Sequence, residues 1–267
     1  MTPTTSPLGA LAELARAASE WLAGWWRTVH LTAQLLVLAL SPSSYRKEHR
    51  GALARHVYLG TAQSLLWFTV LSTLISLVVT RIVLVTASSY GLSQYALEMV
   101  VRVLVLELIP LAAALFAALR CTTPLAAEIA ALRARGEWDK TAARGADPLR
   151  SEVLPRVVAG IFCALMLAAV SCVVTLVVAY LSTYAFTTEG FGAYTHTVGQ
   201  VFNPAVSLIF GLKILFFGVT VALVPIAAVL EAAPHRRLNT SVELQGLVRM
   251  FFAIVLIEVA SLVGNYY

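Results

Sequence analysis

Chemistry inside an apolar run must come from the few ionisable side chains that interrupt it, here Arg81, Glu98, Arg102, Glu107, Lys213 and Glu258. A charge in hydrocarbon is costly, so each of these needs a partner, an aqueous cavity or a route to the interface. Counted at about 1.5 Å per residue, Glu107 and Lys213 fall near the middle of their helices, far from water at either end. A carboxylate and an ammonium at that depth can face one polar cavity, and these two are the candidate substrate-binding residues. Glu98 and Arg102 are spaced i,i+4 for a pair on one helix face. With Arg81 they lie toward one end of their spans, which favours a structural ion cluster over a substrate site. Arg55, Arg120 and Glu258 complete this structural, secondary set.

Catalytic patterns are missing. The sequence has no glycine-rich phosphate loop with lysine, no HExxH and no nucleophile elbow, so it is not expected to be an enzyme or to hydrolyse ATP alone. His30, His49, His56, His196 and His235 read as solvated imidazoles in loops or at helix ends. Cys121, Cys163 and Cys172 lack metal-ligand spacing and read as buried structural thiols, so no metal site is expected.

The elements that must hold these residues are membrane helices. The chain is 59% hydrophobic and 12% charged over 267 residues, too apolar for an ordinary soluble domain. The net charge of +5 comes from short loops, which points to cytoplasmic loops and not to nucleic acid. No basic region followed by a short apolar core and a small-residue cleavage site opens the sequence, so no removable signal peptide is expected.

The hydropathy pattern predicts an all-α integral membrane protein. Residues 1–56 form an amphipathic helix with Trp21, Trp25 and Trp26 and then a basic loop, and residues 57–267 form the transmembrane domain. The tryptophans and polar face suit a helix lying in the membrane interface. The apolar stretch Leu31 to Leu40 leaves an ordinary first crossing helix as the alternative. About five spans follow: Val57 to Thr86, Tyr95 to Leu119, Val157 to Tyr180, Pro204 to Leu230 and Leu247 to Val263. All the basic loops fall on one side, which places the N-terminus in the cytoplasm and the C-terminus outside. The external loop covers about 181–203 and lacks Lys and Arg.

Between the second and third spans lies the most charged segment, about 121–156, broken at Gly136 and Gly145. Its apolar Leu125, Ile129 and Leu132 repeat at helical spacing. A docking helix and a solvated connector would both have this composition.

Several blocks together resemble the MlaE-type (YrbE) permeases of ABC transporters that work with mammalian-cell-entry (MCE) proteins. LELIP at 106–110 is similar to the family's Arg-Glu-Leu-Gly-Pro. AALRCTTPLAAEIAALRA resembles its Ala-Gly-Arg run ending in Ala-Glu, and ADPLRSEVLPR its Asp-Pro-Leu followed by Pro-Arg. SYRKEH, Arg55, Lys213 and the acidic Glu258 extend the likeness over most of the chain. Leu106 and Ile109 depart from the family's arginine and glycine.

The resemblance implies a permease subunit that moves phospholipid or a similar amphipathic lipid between a bacterial inner membrane and a periplasmic MCE protein. It implies a second permease copy, forming a homodimer, and a separate cytoplasmic ABC ATPase that uses ATP and Mg. It makes Ala126 to Thr141 the coupling helix, with Leu132, Glu137 and Trp138 meeting the ATPase, and Glu107 and Lys213 the lipid-headgroup site. No cofactor is expected on this chain. The departures motivate an alternative, a divergent non-transporting scaffold subunit of such a complex.

Overall fold

The computed structural model describes residues 7–41, 47–145, 147–184, 187, 190–231 and 240–266, without the side chains of most residues before 23 and of residues 40, 47–60, 63, 93, 94, 240–243 and 266. The expectations for the Arg46, Lys47, Arg50 and Arg55 side chains, for His49, His56 and His235, and for the loop at 232–239 lie outside the described residues.

Every regular element among the described residues is helical: α1 (Pro7–Leu40), α2 (Lys47–Ser89), α3 (Ser93–Met99), α4 (Ile109–Ala117), α5 (Thr123–Ala134), α6 (Glu137–Ala143), α7 (Leu154–Tyr184), α8 (Phe191–Val201), α9 (Pro204–Glu231) and α10 (Thr240–Tyr266). Three π-helical stretches, Val100–Leu108, Ala118–Thr122 and Leu149–Val153, join them into longer rods. Among the described residues, five helices are long and apolar enough to cross a membrane: Ser64–Ser89, Tyr95–Ala134, Leu149–Tyr184, Pro204–Glu231 and Leu244–Asn265. This is the expected all-α membrane architecture.

Each π-helical stretch ends two residues before a proline: Leu108 before Pro110, Thr122 before Pro124, Val153 before Pro155. Proline cannot donate to the carbonyl four residues back, and its ring crowds that carbonyl. Widening the helix just before the proline relieves the crowding without breaking the rod. The second span therefore runs past Arg120, its expected end, and carries α5 as its extension. The coupling segment is accordingly not one helix over Ala126 to Thr141. Gly136, at φ 68°, turns the chain between α5 and the short α6, a conformation that favours glycine. The segment 181–203, expected as an external loop, also departs from a plain loop, because α8 forms within it and buries Tyr194. His196 lies in α8 and His30 in α1; both are exposed beside a glutamine one turn on, at 3.1 and 3.0 Å.

Packing follows the rule for helices that share lipid, with small and hydroxyl residues inward and large apolar ones outward. On α2 the buried positions Ser64, Phe68, Ser72, Ser76 and Thr80 recur every fourth residue, while Leu66, Trp67, Val70, Leu74 and Ile82 are exposed. That stripe lies along α7, whose Ala164, Ala168, Ser171 and Thr175 are buried. Ser76 and Thr175 hydroxyls meet at 2.8 Å. Two of the cysteines expected as thiols, Cys121 and Cys163, are instead paired in a disulfide. Their separation of 42 residues gave no spacing signal. Cys172 is a buried free thiol.

The centre of the bundle is α9, where every residue from Val221 to Val229 is buried. It packs against α10, α7, α5 and α1. At its C-terminal end the Glu231 carboxylate accepts from Thr28 of α1 at 2.9 Å and Arg249 of α10 at 3.1 Å, which docks α1 on the bundle.

Candidate functional site

The site is built on the second, fourth and fifth spans. Pro110 contributes locally: four residues after Leu106, it has no N–H to give to that residue's carbonyl. The Lys213 ammonium donates to that carbonyl at 3.1 Å. Lys213 also pairs with Glu107, the next residue, and stands 2.9 Å from Glu258 Oε2 on α10. Its side chain is 1% exposed, against 12% for Glu107 and 15% for Glu258. Nζ lies 5.8 Å from the centre of the Phe217 ring.

Glu258 belongs to this centre and not to the structural, secondary set. Two turns further along α10, Asn265 Nδ2 donates to Glu107 Oε1 at 3.4 Å. Ser261, between them, is buried, and neither Ser261 Oγ nor Asn265 Oδ1 has a hydrogen-bond partner among the described residues. Buried polar atoms are ordinarily paired, so α10 brings unmet hydrogen-bonding capacity to the ion cluster. Ser261 and Asn265 carry no charge, and nothing in their sequence neighbourhood distinguished them.

One turn from Lys213 and Glu107, a closely packed apolar seam is lined by Pro110, Ala114, Ala164, Ala168, Ile214, Phe217 and Gly218. Ionic groups thus adjoin a seam of small residues, the pairing of surfaces that an amphipathic molecule requires.

The other expected ionic residues separate. Glu98 and Arg102 form an ion pair at 2.9 Å, but Arg81 is exposed and makes no ion pair among the described residues. The expected cluster of three is therefore a pair. Arg120 is exposed at the end of its π-helical turn.

In the charged segment, Arg156 is buried and pairs with Glu128 at 3.2 Å and Glu152 at 3.0 Å, bracing α5 against α7. Arg133 Nη1 donates to the carbonyls of Val229 and Leu230 at 2.7 and 3.1 Å. These are among the last carbonyls of α9, which have no intrahelical donor. The same guanidinium lies 5.8 Å from the Trp138 ring. Trp138 itself packs on the core around Ile129 and Val229, Leu132 is half-buried, and Glu137 is exposed.

Fold and site together define a polytopic all-α membrane protein with a buried ion cluster. The family model described as permease MlaE matches residues 53–263, and the chain belongs to that family of ABC-type permeases. A search of curated proteins finds no match to the chain.

Proposed function

We propose that this permease moves phospholipid or a similarly amphipathic lipid between a bacterial inner membrane and a periplasmic MCE protein. The observation that carries the reading is the Lys213 ammonium, enclosed between Glu107 and Glu258 and adjoining the apolar seam. Interior charges in membrane proteins mark substrate or ion pathways. Here the polar groups suit a lipid head and the small-residue seam suits its chains.

Hydrolysis of ATP belongs to separate cytoplasmic ATPase subunits, which α5 and α6 would meet. Two copies of the permease form the membrane core of the complex, with α1 lying in the cytoplasmic interface and the C-terminus in the periplasm.

The test is lipid transfer by the reconstituted complex. Transfer that needs ATP, and that a hydrolysis-dead ATPase subunit abolishes, supports the reading. An intact complex that transfers no lipid under these conditions favours the scaffold alternative.

A further inference from the structure

The ion cluster does not balance. Lys213 brings one positive charge and meets one oxygen each of Glu107 and Glu258, so the ionised cluster carries one negative charge in excess. Among the described residues the facing groups include no other cation. Asn265, Ser261, the Leu106 carbonyl, the Phe217 ring and the Cys172 thiol, which itself donates to Val105 O at 3.7 Å, are all uncharged. An uncompensated charge away from water is costly.

The excess has open acceptors. The second oxygen of Glu107 takes a long contact, 3.4 Å, from Asn265. On the same helix as Asn265, Ser261 Oγ is buried in a residue 7% exposed, and neither it nor Asn265 Oδ1 has a hydrogen-bond partner among the described residues. Ser261 Oγ can donate to a phosphate oxygen. Asn265 Oδ1 can accept from an ammonium.

We infer that the site selects lipids whose headgroup carries an amine. Its ammonium enters beside Glu107 Oε1 and Asn265 Oδ1, while Ser261 donates to the phosphate and Lys213, whose three N–H groups otherwise meet Leu106 O, Glu107 and Glu258, turns one of them to it. A headgroup with a phosphate and no amine would add a second uncompensated negative charge. This inference rests on the proposed lipid-carrying role, and it names the headgroup class that role would use.

The experiment places the purified complex in nanodiscs of equal phosphatidylethanolamine and phosphatidylglycerol, and reads the lipids it retains by native mass spectrometry. The expected result is enrichment of phosphatidylethanolamine by the parent and loss of that enrichment in Glu258→Gln, where the cluster becomes neutral. Glu107→Gln provides a second neutral cluster should the first variant not assemble. Equal retention of both lipids, preference for phosphatidylglycerol, or no retained lipid overturns the inference, as does a preference unchanged in the neutral variants. Retention is read without ATP, so absent transport would defeat the proposed function and leave the headgroup result standing.

Discussion

The ammonium of Lys213 on α9 stands 2.9 Å from the carboxylate of Glu258 on α10, while Glu107 holds it from the other side. The three residues are therefore unequal in what their loss leaves behind. Removing either carboxylate leaves the lysine paired. Removing the lysine leaves two carboxylates facing each other in the interior, and breaking such a buried pair costs about 3–5 kcal/mol. Lys213→Met is expected to lower the yield of assembled protein far more than Glu107→Gln or Glu258→Gln, as measured by size-exclusion chromatography. Adding Glu107→Gln and Glu258→Gln to Lys213→Met should recover assembly. Equal yields from all three single variants would refute this order.

That Glu107 and Lys213 could face each other was legible in the sequence, because helical rise converts position along each helix into distance, and the two do pair. Their partner was not. Which face of α10 turns toward α9 is decided by packing among several helices, and α10 has no strong amphipathic pattern to announce it. The five spans were read correctly from hydropathy. The end of the second span was misread because Arg120, Thr122 and Pro124 look like a boundary, whereas a π-helical turn carries the rod through to Ala134. The disulfide between Cys121 and Cys163 depends on the contact of two distant elements, which spacing along the chain cannot reveal.

Pro110 offers a separation of stability from function. An alanine there supplies an N–H that can turn to Leu106 O, placing that donor in competition with Lys213 for the carbonyl. Proline in a helix interior costs about 3 kcal/mol or more, whereas a hydrogen bond to a charged group contributes about 1.5–3 kcal/mol. Pro110→Ala is therefore expected to leave thermal stability equal or higher and to reduce lipid transfer. A fall in stability with normal transfer would show that Leu106 O does not matter to Lys213.

Topology can be tested without reference to substrate. Ser89 and Thr195 are exposed at the ends where the segments lack Lys and Arg, and Ala142 is exposed on α6 in the basic segment. In a cysteine-free background, an impermeant maleimide added outside should modify Ser89→Cys and Thr195→Cys and spare Ala142→Cys. The reverse pattern would invert the proposed orientation.

Arg133 links the charged segment to the helix that carries Lys213. Its bonds to Val229 O and Leu230 O make α9 and α5 move together or break contact. Arg133→Met would leave those acceptors unsatisfied, at about 1–3 kcal/mol for a buried group. The expected phenotype is retained ATPase binding with less lipid moved per ATP hydrolysed, partly recovered in Arg133→Lys because one ammonium can still reach the carbonyls. An unchanged ratio in Arg133→Met would assign the arginine to local packing alone.

The three residues expected to meet an ATPase differ in what they face. Glu137 is exposed in the first turn of α6, so a partner can reach it and its loss should cost the fold little. Trp138 lies beneath Arg133 and against the core around Ile129 and Val229, so truncating it opens a gap between α5, α6 and α9. Loss of a large aromatic from a packed core typically costs about 3–5 kcal/mol, and less where the ring is only partly enclosed, as here. Glu137→Arg is therefore expected to weaken ATPase co-purification while leaving the melting temperature of the isolated permease unchanged. Trp138→Ala should lower that temperature first and lose the ATPase as a consequence. If Glu137→Arg keeps the ATPase at the parent level, α6 does not present this face to the motor and the contact must run through α5.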